Sequence, residues 1–249
     1  MKASTSHIHP AFGPSPYGMP YKVVSNAHPK VSVRFDYPSE SDPGPYPFGL
    51  DIPLEKNGDA HAVMVNKDTC MLYELFRASW NNGLPRAGSG AVYNLGSNKL
   101  RPNGWTSADA AGLPIFSGLI RYDEVMSGAV THAIRFTTSL TDCRHIWPAR
   151  HHAGSCNRNY PPMGARFRLR ASYDLSRFST PVRVILRAMK RYGLILADVG
   201  PNWFFWGTMD SRWTGSIIRQ LGTVPASAFQ AVNESSCIVD GNWGTANCP

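Results

Sequence analysis

The sequence predicts a mainly β protein: a two-sheet sandwich or jelly roll with one or two accessory helices. Three observations lead there. Short stretches with apolar residues at every second position recur along the 249-residue chain, and a period of two marks a strand with one buried face. Gly and Pro, 22 and 20 in number, punctuate these stretches too often for long helices. Charged residues are only 17% while aromatics reach 11%, which excludes disordered and coiled-coil chains. No apolar run approaches the roughly 18 residues of a membrane span. The length suits a single β-rich domain over 1–249. It has a Pro/Gly-rich covering segment and loop over 1–60 and a disulfide-closed tail over 230–249.

Taken in order, HIHPAFGPSPYGMPY reads as a covering segment. KVSVRF puts Val31, Val33 and Phe35 on one face of a half-buried strand. Pro38, Pro43, Pro45, Pro47 and Pro53 then fill a stretch that cannot donate to a sheet ladder, so it is an extended surface loop. HAVMVN and TCMLYELF, separated by Lys67-Asp68, form a hairpin. AVYNL is a further short strand. WTSADAAGLPIF reads as a short helix capped by Thr106 or Ser107 and ended by Leu113-Pro114. VTHAIRFTT and ARFRLRASYDL alternate clearly. In the second, Phe167 and Leu169 face one side and Arg166, Arg168 and Arg170 the other. The best helix follows Ser179-Thr180-Pro181 and stops at Gly193. GLILADVG returns as a buried strand, and DSRWTGSIIRQLG is a second helix ending at Gly222.

Five cysteines stand at 70, 143, 156, 237 and 248. None is in a Cys-x-x-Cys, so zinc and thioredoxin-like chemistry are disfavoured. The pairs Cys143–Cys156 and Cys237–Cys248 flank loop-like segments and are expected as disulfides of a secreted protein. Cys70 is expected as a free thiol in the core of its strand. MKASTS lacks the apolar region of an export signal, so the expected chain is one whose leader has been trimmed away.

The formal charge is +8, and it is regional. Between Arg144 and Arg191 there are eleven basic residues and one acid, Asp174. No zinc finger, RNA-recognition or helix-turn-helix pattern accompanies them, so nucleic acid is disfavoured. An acidic polysaccharide is a second reading, and a solvated helix face with a salt-bridged sheet face is a third. Nucleophile-elbow, zinc-protease and phosphate-loop motifs are all missing.

What remains is carboxylates among aromatics. Glycoside hydrolysis needs two Asp or Glu across a groove, one protonated and one ionised. Glu74 alternates with Cys70 and Leu72 and so points inward if they do, where burial raises a carboxyl pKa. Asp109 stands near Trp105 in a turn, and Asp42 before Pro43 is the reserve. Tyr46, Trp105, Trp147 and His151 are the expected groove walls, with Arg168 on the basic strand face. Each has a structural alternative: an Arg-paired Glu74, an Asp109 satisfied by backbone amides, a turn-forming Asp42. No motif requires a cofactor or metal, although His7, His9 and His132 offer a metal-dependent oxidase or lyase as an alternative.

The segments SDPGPYP, LYELF, GWTSADAAGLPI, GLIRYDEV, HAIRF, IWPARH, PPMGARFRLRASYDLS and VILRAMKRYGLILADVG together resemble a group of secreted microbial proteins. Members of that group occur in chains with carbohydrate-binding modules. The resemblance runs from His7 to Val232 and departs at Ala11, where the group has an acid. It implies secretion and a polysaccharide context, and lends no catalytic residue. The sequence-level expectation is a secreted, monomeric, polysaccharide-active protein, foremost a glycoside hydrolase. A carbohydrate-binding module without catalysis is the alternative.

Overall fold

Alternation along the chain becomes layering in space. A computed structural model describes residues 6–56, 58–81 and 83–247. Its strands are β1 (His9–Ala11), β2 (Lys22–Val24), β3 (Arg34–Phe35), β4 (Ala62–Asn66), β5 (Met71–Phe76), β6 (Ser79–Asn81), β7 (Leu84–Ala87), β8 (Ser89–Asn94), β9 (Ile134–Thr138), β10 (Arg166–Leu169), β11 (Leu194–Val199), β12 (Phe204–Trp206) and β13 (Phe229–Val232). The helices are α1 (Ile115–Gly118), α2 (Tyr122–Ser127), α3 (Thr180–Arg191) and α4 (Gly215–Leu221). The protein is mainly β with few accessory helices. Its strands are divided among three mixed sheets, ordered β1-β12-β9-β11-β10-β13, β2-β4-β5-β8 and β3-β7-β6.

The four-stranded sheet is buried on both faces, and β4 shows why. Ala62 and Met64 join Tyr46, Phe48, Tyr73 and Leu75 in one cluster. Val63 and Val65 join Leu72, Ile115 and Leu119 in another. A strand covered on both sides reads as an unbroken apolar run, here AVMV. Val31, Val33 and Phe35 do share the first cluster, although only Arg34–Phe35 enters a ladder.

The expected hairpin forms, pairing Ala62 with Leu75 through Asn66 with Met71. Asn66 Oδ1 closes its turn by accepting the amides of Asp68 (2.9 Å) and Thr69 (3.2 Å). Cys70 belongs to this turn, at φ +54°. It is exposed and unbonded, which corrects the expectation of a core thiol. The strand starts at Met71, two residues later than the stretch TCMLYELF implied.

The largest core lies on the six-stranded sheet. Ile134, Phe136, Phe167, Leu169, Leu194 and Leu196 pack with Val182, Ile185, Leu186 and Met189 of α3. Helix α3 has Ser179 at its N-cap and Pro181 in its first turn, and Gly193 follows it at φ +77°. Its C-terminal carbonyls are answered by β10. Arg166 Nη1 donates to Tyr192 O, and Arg168 Nε donates to Lys190 O at 2.7 Å. The end of a helix leaves carbonyls unbonded and carries partial negative charge, which guanidinium groups satisfy.

The helix expected over WTSADAAGLPIF does not form. The segment is a series of turns stitched by Ser107, whose hydroxyl donates to Leu113 O (2.7 Å) and accepts from Asp109 N (2.9 Å). Such local bonds compete with helix formation. Pro114 is the N-cap of α1, so it opens a helix where the sequence suggested a stop.

Cys143 and Cys156 are disulfide-bonded, holding the loop that carries His145, Trp147, His151 and His152. The Cys237–Cys248 pairing involves Cys248, which lies outside the described residues. Among the described residues no helix is long and apolar enough to cross a membrane.

Thiol labelling of the native protein should modify Cys70. Cys70→Ser should lower the labelled count by one per chain and leave Tm unchanged, read by mass spectrometry and thermal melting. An unaltered count would place Cys70 back in the interior.

Candidate active-site cleft

Glu74 points where its alternation with Leu72 requires, into the layer between the four-stranded sheet and α1. It has no exposed surface. Its Oε2 accepts the Ile115 amide (2.9 Å) and its Oε1 the Phe116 amide (2.8 Å). These are the first amides of α1, which lack partners within their own helix. Burial pushes the Glu74 pKa up to about 7, against the pull of those two hydrogen bonds. Asp109 is equally enclosed. Its Oδ2 accepts from Arg135 Nε (2.9 Å) and its Oδ1 from Arg135 Nη2 (2.8 Å), a bidentate pair. Neither carboxylate lines any of the three cavities described below. Both expected catalytic groups brace the interior.

Asp42, Trp105 and His151 are brought together, around Arg101. This guanidinium pairs with Asp42, donates to Thr106 O (2.8 Å) and Glu40 O (2.9 Å), and lies 5.4 Å from the Trp105 ring centre. His151 Nε2 is 3.7 Å from Glu40 Oε2. Asp42 also accepts the Val92 amide at 2.8 Å, so it is a loop anchor. Tyr46 is fully buried, its hydroxyl donating to Asp42 O at 2.7 Å. That corrects its expected place in a groove wall: the Pro-rich loop folds its aromatics inward. Trp147 Nε1 donates to Trp243 O (2.9 Å), and Arg168 serves the end of α3.

A different cleft emerges where β9 and β11 run side by side. Leu196 pairs with Phe136, but the next paired residues are Asp198 and Thr137, so Ala197 is an extra residue in β11. A β-bulge of this kind re-aims the side chains beyond it. It brings Asp198 into register with Thr137, on the face that Arg135 also occupies. Asp198, Arg135 and Thr137 line a cavity of about 180 Å³ with Glu55, Asp59 and His61. Asp198 Oδ2 is 3.8 Å from Arg135 Nη2, and a fifth of its side chain (21%) remains exposed. Burial raises its pKa to about 7, the Asp109 charge adds to the rise, and Arg135 opposes it.

His61 faces Asp198 across this cavity with both ring nitrogens engaged. Nδ1 is 2.5 Å from Glu55 Oε2, and Nε2 is 2.9 Å from Ala108 O. Burial disfavours its charged form, but the Glu55 hydrogen bond and charge outweigh that and raise its pKa. Glu55, Pro201 and Trp206 line this cavity and also a larger trough of about 710 Å³. His9, Phe204, Tyr17 and Trp213 contribute to the trough, with the His9 ring stacked 3.9 Å from Phe204. The Trp206 indole N–H, at the junction, is buried without an acceptor among the described residues.

Sequence reasoning missed Asp198, Glu55 and His61. The signal for Asp198 was present, since it is a lone carboxylate in the apolar run LILADV, the same argument that selected Glu74. His7, His9 and His132 do not converge: His9 is on Phe204, and His132 bonds Glu124 at 3.2 Å. Among the described residues no three His, Cys, Asp or Glu side chains could hold a metal ion. No protein-family model, curated protein or solved structure matches the chain.

Asp109→Asn should cost about 3–5 kcal/mol in urea unfolding, because it leaves Arg135 buried without its counter-charge. Glu74 has its own signature. Its folded pKa lies above the ordinary 4.5, so between pH 4.5 and about 7 the folded chain holds a proton that the unfolded chain has lost. Its contribution to stability is therefore greatest below 4.5 and is lost as pH rises through 7. Glu74→Gln should flatten that slope, measured by unfolding at pH 5 and pH 8. A slope identical to wild type would remove the pKa assignment.

Proposed function

We propose that the chain is a secreted polysaccharide-active enzyme of the glycoside hydrolase type, with Asp198 as proton donor. The observation that carries this reading is the bulge in β11, which aims Asp198 into a cavity continuous with an aromatic-lined trough. Sugar rings present apolar C–H faces that settle on aromatic side chains. A trough of His9, Tyr17, Phe204 and Trp206 supplies such a surface beside the carboxyl groups.

In this reading Asp198 holds a proton near neutrality and delivers it to the glycosidic oxygen as the bond breaks. Glu55 is the second carboxyl group, kept in place by its hydrogen bond with His61. It attacks the anomeric carbon or activates water for that attack. Arg135 fixes the geometry and prevents Asp198 from being an isolated acid in an apolar wall. The Cys143–Cys156 disulfide fits an oxidising, extracellular setting. Binding without catalysis would use the same trough and leave Asp198 dispensable.

The test is release of reducing ends from a panel of polysaccharides. Asp198→Asn should lower turnover by about 10²–10⁴-fold with Tm unchanged or raised, since it removes a carboxyl whose charged form is disfavoured by burial. Wild-type activity should fall as pH rises above about 7, where Asp198 loses its proton. Turnover unaffected by Asp198→Asn, or no product from any polymer alongside measurable binding, would replace hydrolysis with binding alone.

A further inference from the structure

A second cavity, of about 430 Å³, lies on the other side of Arg135. Its floor is one row across the six-stranded sheet: Arg166 on β10 pairs with Ile195 on β11, which pairs with Arg135 on β9. Directly paired residues project to the same face, so two guanidinium groups flank one isoleucine. Lys99 and Arg101 close the cavity from the segment after β8, and His132 from the approach to β9. Among the described residues, no Asp or Glu lines it.

Each arginine has a carboxylate partner set back from the lining. Arg101 has Asp42, Arg135 has Asp109, and Arg166 has Glu234 at 2.5 Å. His132 has Glu124 in the same way. These pairs make the cations affordable inside the protein and fix their orientation, yet leave donors over. Arg135 binds Asp109 through Nε and Nη2, and its Nη1 makes no hydrogen bond among the described residues. Arg166 donates to Tyr192 O through Nη1, and its Nε stands in an ion pair with Glu234 but makes no hydrogen bond among the described residues, which leaves Nε and Nη2 over. The Lys99 ammonium has no partner among the described residues, while its backbone amide is held by Ser97 Oγ at 3.2 Å. Arg135 is only 4% exposed, so its spare donor is largely withdrawn from bulk water. The volume falls within the range of small-ligand sites, roughly 300–1,000 Å³.

We propose that this cavity binds an oxyanion, a carboxylate or sulfate group, through Arg135, Arg166 and Lys99. Guanidinium groups favour planar carboxylate and tetrahedral sulfate because their N–H donors are arranged as a fork. The apolar side of Ile195 gives the carrier of the anion a surface to rest on. The group belongs either to a small free anion or to a charged sugar unit of a polymer. The site shares Arg135 with the Asp198 cleft and is otherwise lined by different residues. Its readout is binding and its variants are Lys99 and Arg166, so the two proposals fail independently.

Isothermal titration with sodium sulfate, galacturonate and polygalacturonate, at ionic strength fixed with sodium chloride, tests the site. Sulfate or galacturonate should bind, and neutral galactose should not. Lys99→Gln touches no structural contact of the side chain and should raise the dissociation constant by about two- to fivefold. Arg166→Gln should do the same, with circular dichroism reporting whether the end of α3 survives. Polygalacturonate binding more tightly than the monomer assigns the charged polymer. Equal affinities assign the small anion, and either result supports the site. Heats indistinguishable from galactose, or anion binding unchanged in both Lys99→Gln and Arg166→Gln, would overturn it.

Discussion

A guanidinium group buried between two sheets has to be neutralised from within, and much of this fold is arranged around that requirement at Arg135. Leaving such a charge without a partner costs several kcal/mol. Its bidentate partner, Asp109, comes from the turns that precede α1. Those turns are pinned on every side. Ala108 O accepts from His61, Ser107 O accepts from Ser89 Oγ at 2.6 Å, and the Ser107 hydroxyl closes the loop onto Leu113. The end of α1 then lies against the same arginine. A Cβ on Gly118 would stand 3.0 Å from that of Arg135, so only glycine allows this approach without a shift. The indole of Trp206 on β12 is 5.4 Å from the guanidinium carbon and covers it from another side.

The charges in this layer do not cancel, and the imbalance has a direction. Glu55, Glu74, Asp109 and Asp198 face Arg135 and His61, four acids against two cations. Asp109 and Glu55 hold the two cations directly. The surplus therefore falls on Glu74 and Asp198, and in both the Asp109 charge adds to the effect of burial in raising the pKa. Glu74 resolves its share by accepting two backbone amides in a sealed position. Asp198 has one backbone amide, that of Val199 at 2.7 Å, and an opening to the cleft. Paired carboxyl groups whose surroundings push their protonation apart recur at sites of acid–base chemistry. That is the physical link between the interior electrostatics and the proposed proton donor.

The strands were legible because each depends on a local period, and α3 because Ser179, Pro181 and Gly193 mark its ends within one short window. The inward direction of Glu74 was legible for the same reason. The site was not, because it depends on contacts between residues far apart in sequence. Nothing near Ala197 announces a bulge, yet the bulge decides which face Asp198 joins. Thr106 to Leu113 has the composition of a helix start, but Ser107 and Asp109 are drawn into bonds with Leu113 and Arg135. The alternation of Arg166, Arg168 and Arg170 was read correctly as a pattern. Its main partner, the carbonyl end of α3, lies more than twenty residues downstream, beyond the reach of periodicity.

The regional basic charge now separates into two populations with different physics. Arg168 and Lys190 are turned onto backbone carbonyls at the junction of α3 with the sheet, where they act as structural donors, and Arg166 is anchored there through Nη1 while it also lines the cavity of about 430 Å³. Arg170, Arg177, Arg187 and Arg191 remain exposed, with one acid, Asp174, in that stretch of sequence. Exposed charges separated by more than about 8–10 Å are largely screened at physiological salt, so they do not bind a ligand by themselves. Their summed field raises the local concentration of anionic partners and the rate of encounter. Specific recognition then has to come from donors withdrawn from water, where screening is weak. The spare guanidinium donor of Arg135 meets that condition, whereas the exposed arginines contribute to approach.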